Sequence, residues 1–131
     1  MILLDTHTLV FDTLAPERLS KRAKALIEQG EQAQALACAD ISLWEIAMLV
    51  FKGRLDPGVS TRDYLDLALA YRGMEVLAIS PAVAAQSQSG ALAHHGDPAD
   101  RLIAATAMIY DATLVTRDRA LRGLAELDTA W

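Results

Sequence analysis

The stretch DPADRLIAATAMIYDATLVTRD, residues 97–118, decides how the rest of the chain is read. It opens with helix-start chemistry: Asp97 as N-cap, Pro98 at the first helical position and Asp100 in the first turn. The apolar residues behind them predict a strong helix over 97–112. TLVTRD then reads as a strand, a short apolar run ending in an acid. A helix feeding a short, continuously apolar strand is the repeating unit of a parallel sheet covered on both faces.

The same alternation extends outward. MILLD (1–5) reads as a buried strand, and PERLSKRAKALIEQG (16–30) as a helix opened by Pro16 and closed by Gly30. ALACAD (35–40) is a second apolar run, followed by a helix over 41–52 that stops at Gly53. TRDYLDLALAYRG gives another helix ending at Gly73, MEVLAIS a third strand, and PAVAAQSQSGALAHHG a weak Ala-rich helix. After the fourth strand come a short helix, RALRGL, and a tail that can add an edge strand. The expectation is one α/β domain over residues 1–131, a three-layer α/β/α sandwich around a mainly parallel sheet of four to five strands.

Composition supports a folded domain: 53% of residues are hydrophobic and 22% charged. The single cysteine, Cys38, lies in an apolar run and cannot form an intramolecular disulfide, so a reducing, cytoplasmic setting is expected. The N-terminus has no basic region and is interrupted by Asp5 and His7, unlike a signal peptide. No apolar run approaches a membrane span, which predicts no membrane association. A net charge of −5 argues against a broad basic surface for nucleic acid, but not against an enzyme that meets phosphates through bound cations.

The helix over 41–52 carries two apolar stripes: Leu43, Ile46, Ala47 and Val50 on one side, Trp44, Met48 and Phe51 on another. One stripe suffices for a surface helix. Either this helix is deeply buried, or its second stripe meets another chain.

Four acids stand at comparable places. Asp5 ends the first strand, Glu45 lies in the first turn of the helix after the second, Asp100 opens the helix before the fourth, and Asp118 ends the fourth. Each has a structural role open to it. Ser42 and Glu45 fit a capping box, Asp97 and Asp100 a helix start, Asp118 the cap of the next helix, and Asp5 the cap of whatever follows. Jointly they mean more, because a parallel sheet brings the carboxyl ends of its strands to one crevice where such folds bind ligands. Two like charges ~4 Å apart cost about 4 kcal/mol at an effective dielectric near 20. Converging carboxylates therefore call for protonation or a cation, and oxygen-only ligands favour magnesium or manganese. No His/Cys spacing supports zinc.

MILLDTHTLV, the acid inside ISLWEIAM, DPADRLIAATA and LVTRD, in that order, resemble a PIN domain, and more narrowly the small ribonucleases that serve as toxins of bacterial VapBC toxin–antitoxin pairs. The resemblance covers nearly the whole chain. It implies a magnesium- or manganese-dependent endoribonuclease with Asp5, Glu45, Asp100 and Asp118 as catalytic acids. Asp5, Asp100 and Asp118 would be the metal ligands, with Thr116 as the accompanying hydroxyl. Bound metal would lower the pKa of a water and neutralise charge developing on the scissile phosphate. Asp97 falls outside the quartet and is read as a cap, His7 is given no role, and His94 and His95 read as loop residues. Arg101 and Arg117, together with Arg119, flank the third and fourth acids and could touch the RNA backbone, whereas Arg18, Lys21, Arg22 and Lys24 read as a solvated helix face. The resemblance further implies a VapB-type antitoxin partner, for which Trp44, Met48 and Phe51 are candidate contacts, and a homodimer.

Two other readings remain to be tested. A PIN fold could persist as a binding module without nuclease activity, although such modules usually lack one or more of the acids. A magnesium-binding phospho-receiver domain has similar length and class. It would need an acidic pair after the first strand and a late lysine, but Asp5 stands alone and no lysine follows Lys52.

Overall fold

The computed structural model describes residues 1–131. Five strands, β1 (Ile2–Leu4), β2 (Leu36–Ala39), β3 (Glu75–Leu77), β4 (Thr113–Val115) and β5 (Thr129–Ala130), form one sheet in the order β3-β2-β1-β4-β5. Every pairing is parallel. The order reverses at β1, which lies between β2 and β4. A phospho-receiver would instead be ordered 2-1-3-4-5, so that alternative fails on topology.

Seven helices connect the strands: α1 (Thr6–Leu14), α2 (Lys21–Gln32), α3 (Asp40–Phe51), α4 (Thr61–Tyr71), α5 (Pro81–Gln86), α6 (Pro98–Ile109) and α7 (Arg119–Arg122). Side chains alternate across the central strands and divide the core in two. Ile2, Leu4, Leu36, Cys38 and Val115 pack against α1, α2 and α4, with Leu9, Phe11, Ile27, Tyr64 and Ala68 on the helix side. Leu3, Ala37, Ala39 and Leu114 face α5, α6 and α7 through Val83, Ile103, Ala104 and Leu121. The three-layer α/β/α arrangement is therefore as expected, with all five strands parallel.

Several local expectations need correction. A whole helix, α1, occupies residues left unassigned between Asp5 and Pro16; its β-branched Thr6, Thr8 and Val10 mask a helix whose buried side carries Leu9 and Phe11. The second helix begins later than expected. Pro16–Arg18 forms a 3₁₀ turn, and Ser20 caps α2 by accepting from the Ala23 N–H at 3.0 Å. Nor does Gly30 stop that helix. It lies inside α2, where a Cβ would come within 3.1 Å of Ile2 and Leu36, so glycine permits close packing on the sheet. The Ala-rich 81–96 segment is two short pieces, α5 and a 3₁₀ turn at Gly90–His94, broken where Gly90 adopts φ +55°.

Helix α3 starts at Asp40 with Ala39 as N-cap. Ser42 is therefore inside the helix and buried, and the expected Ser42–Glu45 capping box does not form; Glu45 sits in the second turn. Only Ser42 and Ile46 are fully buried on this helix. Trp44 is 58% and Phe51 91% exposed, with Met48 half-buried, so the deeply buried reading fails and most of the second stripe is uncovered.

Candidate active site

The carboxyl edge of the sheet opens into a cleft of about 590 Å³ lined only by polar and charged residues, and its walls come from four separate segments. Asp5, Thr6 and His7 follow β1, Glu45 comes from α3, Asp97 and Asp100 from the start of α6, and Arg117, Asp118 and Arg119 follow β4. All four expected acids border this one space. Adjacency of β1 and β4 fixes two of them: the Asp5 N–H donates to the Val115 carbonyl at 3.1 Å, and the Thr8 hydroxyl donates to the same oxygen at 2.8 Å.

Hydrogen bonds then set each carboxylate. Asp5 accepts from the Thr6 N–H at 2.8 Å through Oδ1 and from the Thr116 hydroxyl at 2.6 Å through Oδ2. The Thr116 oxygen itself accepts from the Asp118 N–H at 3.1 Å, so one buried hydroxyl ties the first acid to the fourth. Asp118 also caps α7, its Oδ1 accepting from the Leu121 N–H at 3.0 Å. The Thr6 hydroxyl reaches both Glu45 Oε1 and Ser42 Oγ, and because it has one proton it can donate to only one of them.

Asp97 and Asp100 divide as expected. Asp97 is the cap, with Oδ1 accepting from the Ala99 N–H at 2.8 Å and the Asp100 N–H at 3.3 Å, although it also borders the cleft. The Asp100 Oδ2 lies 3.2 Å from His95 Nε2, and the His95 side chain is only 11% exposed. Sequence reasoning treated His95 as a loop residue. The one available signal was an imidazole five positions before the acid, within reach across a capped helix start.

Electrostatics binds the acids into one unit. Burial raises the Asp5 carboxyl above the ordinary range, against the Thr116 and Thr6 hydrogen bonds and the nearby His7, while Asp118 raises it further. Burial also raises Glu45, partly offset by Thr6, with Asp100, Asp5 and Asp97 adding to the shift. Asp100 is pushed up to about 6, first by burial, against His95, and then by Asp97, Asp5 and Asp118. Asp5, Glu45 and Asp100 each feel other acids of the cleft. The donor set of carboxylate oxygens fits a hard divalent cation. No three acids or histidines are gathered into a ready ligand shell as the side chains stand.

Of the arginines, Arg117 and Arg119 border the cleft and Arg101 does not. Arg101 follows Asp100 on α6, so it points about 100° away around the helix, and its Nε is buried without a partner. Beside the cleft lies a hollow of about 520 Å³ bordered by Trp44, Glu45 and Met48 of α3 and by residues 96–99. Phe51, the third residue of the exposed stripe, lies beyond it.

The PIN domain family profile matches residues 2–127. Ribonuclease VapC22 of Mycobacterium tuberculosis is 36% identical over 121 residues, covering 92% of this chain and 89% of that protein. The chain is a PIN domain of the VapC type. Solved structures share the fold along nearly the whole length. A VapBC2 complex from Rickettsia felis bound to a promoter DNA fragment superposes with a TM-score of 0.74 at 21% identity, covering 99% of this chain and 98% of that one. FitAcB from Neisseria gonorrhoeae gives a TM-score of 0.63 at 26% identity, covering 98% and 96%. The topology accounts for the placement of two of the acids: β1 and β4 are neighbours at the reversal of strand order, Asp5 directly follows β1, and Asp118 follows β4 by three residues.

Proposed function

We propose that this PIN domain is a divalent-cation-dependent endoribonuclease, the toxin of a VapBC-type pair. The observation that carries the reading is the convergence of Asp5, Glu45, Asp100 and Asp118 from four segments on one cleft, where burial, and then neighbouring acids, raise the proton affinities of Asp5, Glu45 and Asp100. The 36% identical relative named as a ribonuclease supports RNA as the substrate. Asp5, Asp100 and Asp118 would hold a magnesium or manganese ion, which when bound would supply charge neutralisation at the scissile phosphate and activation of the attacking water. Thr116 holds Asp5 in orientation. Glu45, tethered through Oε1 to Thr6, keeps Oε2 free to receive a proton from the attacking water, and a raised pKa makes it a better base near neutral pH. Arg117 balances charge on the substrate backbone from the cleft wall.

An antitoxin partner is supported by the solved neighbours, among them a toxin–antitoxin complex from Klebsiella pneumoniae. We assign Trp44, Met48 and Phe51 to an antitoxin surface, because Trp44 and Met48 border a hollow that opens beside the acids. A homodimer and a cytoplasmic setting belong to the same reading; no helix is long and apolar enough to cross a membrane.

Cleavage of total RNA by the purified chain with and without manganese tests the reading. Asp100→Asn should abolish cleavage and growth inhibition while the protein stays folded, and full activity in that variant overturns the assignment. For the partner surface, Trp44→Ala should weaken binding of the antitoxin encoded alongside by about tenfold, roughly 1.4 kcal/mol, with little change in melting temperature. A large melting shift with unchanged binding overturns that assignment.

A further inference from the structure

Helix α1 leads away from the cleft. His7 borders the cleft, and Phe11 lies one turn further along the same face, their ring centroids 6.2 Å apart. Two guanidinium groups lie over the Phe11 ring: Arg117 at 4.7 Å from its centroid and Arg18 at 4.3 Å. Trp131 meets the ring edge-on at 6.5 Å. Phe11 is itself buried, so it serves as an anchor that holds two cations outward beside an acidic cleft.

Neither cation forms an ion pair within the chain. The ion pairs of the structure join Arg62 to Asp66, Arg72 to Asp12 and Glu31, and His95 to Asp100, and none involves Arg18, Arg117 or Arg119. That is notable in a chain of net charge −5, where carboxylates are in excess. Beyond Arg18, the exposed Lys21, Arg22 and Lys24 occupy the first turn or so of α2, which has no acid in its first turn. Cations at a helix N-terminus oppose the helix dipole, so helix stability does not explain them. A polyanion passing over them does.

We infer that the RNA strand leaves the cleft along a track from Arg117, across the Phe11 anchor to Arg18, and onto Lys21 and Lys24 at the start of α2. The inference rests on the ribonuclease reading and adds to it the direction of the strand and the residues that hold it outside the cleft. The expected solvated face of Arg18, Lys21, Arg22 and Lys24 thereby becomes part of the substrate surface.

Binding can be read by fluorescence anisotropy, using a labelled single-stranded RNA of about 20 nucleotides in Asp100→Asn protein, so that the probe stays intact, over about 50 to 300 mM KCl. Arg18→Gln should flatten the log–log salt dependence by about 0.7, one phosphate contact on a single strand, and Lys21→Gln with Lys24→Gln by about twice that. Arg18→Lys should restore the slope. In otherwise wild-type protein, these variants should raise KM for the long RNA several-fold with kcat unchanged, while cleavage of a tetranucleotide is unaffected. The lysine pair lies on an exposed face, so it keeps the test open if Arg18→Gln fails to fold. Unchanged slopes overturn the track, as does equal loss on the tetranucleotide or tighter binding of duplex DNA than of the RNA. If the wild-type chain cleaves no RNA with any divalent cation, the ribonuclease reading falls instead, and the binding slopes still judge the track.

Discussion

Asp5 and Asp12 stand near the two ends of α1, both buried, at 7% and 5% exposure, and their surroundings differ in charge. Asp12 accepts two hydrogen bonds from Arg72, at 2.7 Å from Nε and 2.8 Å from Nη2, and the same guanidinium donates to Glu31 at 2.6 Å. One cation thus joins α1, α2 and the end of α4. Hydrogen bonding to Asp12, opposed by burial and supported by Glu31, raises the pKa of Arg72, so its charge persists at any pH the fold survives. Asp5 has no such cation. It receives a hydroxyl and a backbone N–H, and it faces Asp118. Asp12 is matched within the chain and is structural, whereas Asp5 has no such match beside the other cleft acids and, under the proposed function, takes a cation from outside.

The largest expected effect separates the two ends by activity. Asp5→Asn should lower RNA cleavage at least about a thousandfold, ~4 kcal/mol of barrier. It should also leave the urea midpoint unchanged or raise it, because a poorly compensated charge is removed. Cleavage assays and denaturation on the same preparations check both, and a marked loss of stability breaks the contrast. Next in size is Arg72→Met, which leaves Asp12 and its charge buried without a partner. Removing one member of a buried pair costs about 3 kcal/mol or more, so the urea midpoint should fall steeply while folded protein keeps its cleavage rate. A change of under about 0.5 kcal/mol, as at ordinary surface sites, would mean that Asp12 is solvated after all.

Smaller is the pH effect. The folded pKa of Asp100, about 6, lies above its ordinary value of 3.8. Its favourable contribution is therefore fully present below about pH 3.8 and lost as pH rises toward 6, because the unfolded chain releases the proton first. In chelator, Asp100→Asn should gain stability over wild type across that window, on the order of 1 kcal/mol after allowance for partial solvent exposure. Burial and the neighbouring acids raise Asp5 and Glu45 in the same direction. A gap that stays constant from pH 4 to 7 would show that Asp100 titrates normally and that the cleft acids are not coupled.

What the sequence disclosed follows the same division. Asp5, Asp118 and Asp100 could be placed at the cleft from local signals, the apolar run before Asp5 and Asp118 and the Asp-Pro cap before Asp100, whereas Glu45 lies in the second turn of α3 and carries no such signal. Strand alternation likewise disclosed the parallel layers. Helix α1 was not legible, since its buried Thr6, Thr8 and Asp12 find their partners in α3, β4 and Arg72 respectively, far along the chain. Gly30 looked like a helix stop because the reason for it, the approach of Ile2 and Leu36, is tertiary. Ser42 and Glu45 matched a capping box by spacing, yet the helix begins two residues before Ser42 and both side chains lie within hydrogen-bond reach of the Thr6 hydroxyl instead. Arg72 and His95 were missed alike: no local pattern announces a side chain whose partner lies in another element or across a turn.

His95 provides the finest test of the comparison, because it is the cleft's nearest counterpart to Arg72. It touches a single carboxylate at 3.2 Å where Arg72 holds two at 2.6–2.8 Å, and an imidazole need not be charged to donate that bond. If its task is to orient Asp100 without neutralising it, His95→Gln should bind manganese nearly as wild type does. His95→Phe should bind about tenfold more weakly, within the range for lost partners of metal-ligating groups. Calorimetric titration of the metal-free protein with manganese reads this directly, apart from cleavage. If His95 instead matched the charge of Asp100 as Arg72 matches Asp12, both substitutions would tighten manganese binding by removing a competing cation, and the two ends of α1 would differ in degree only.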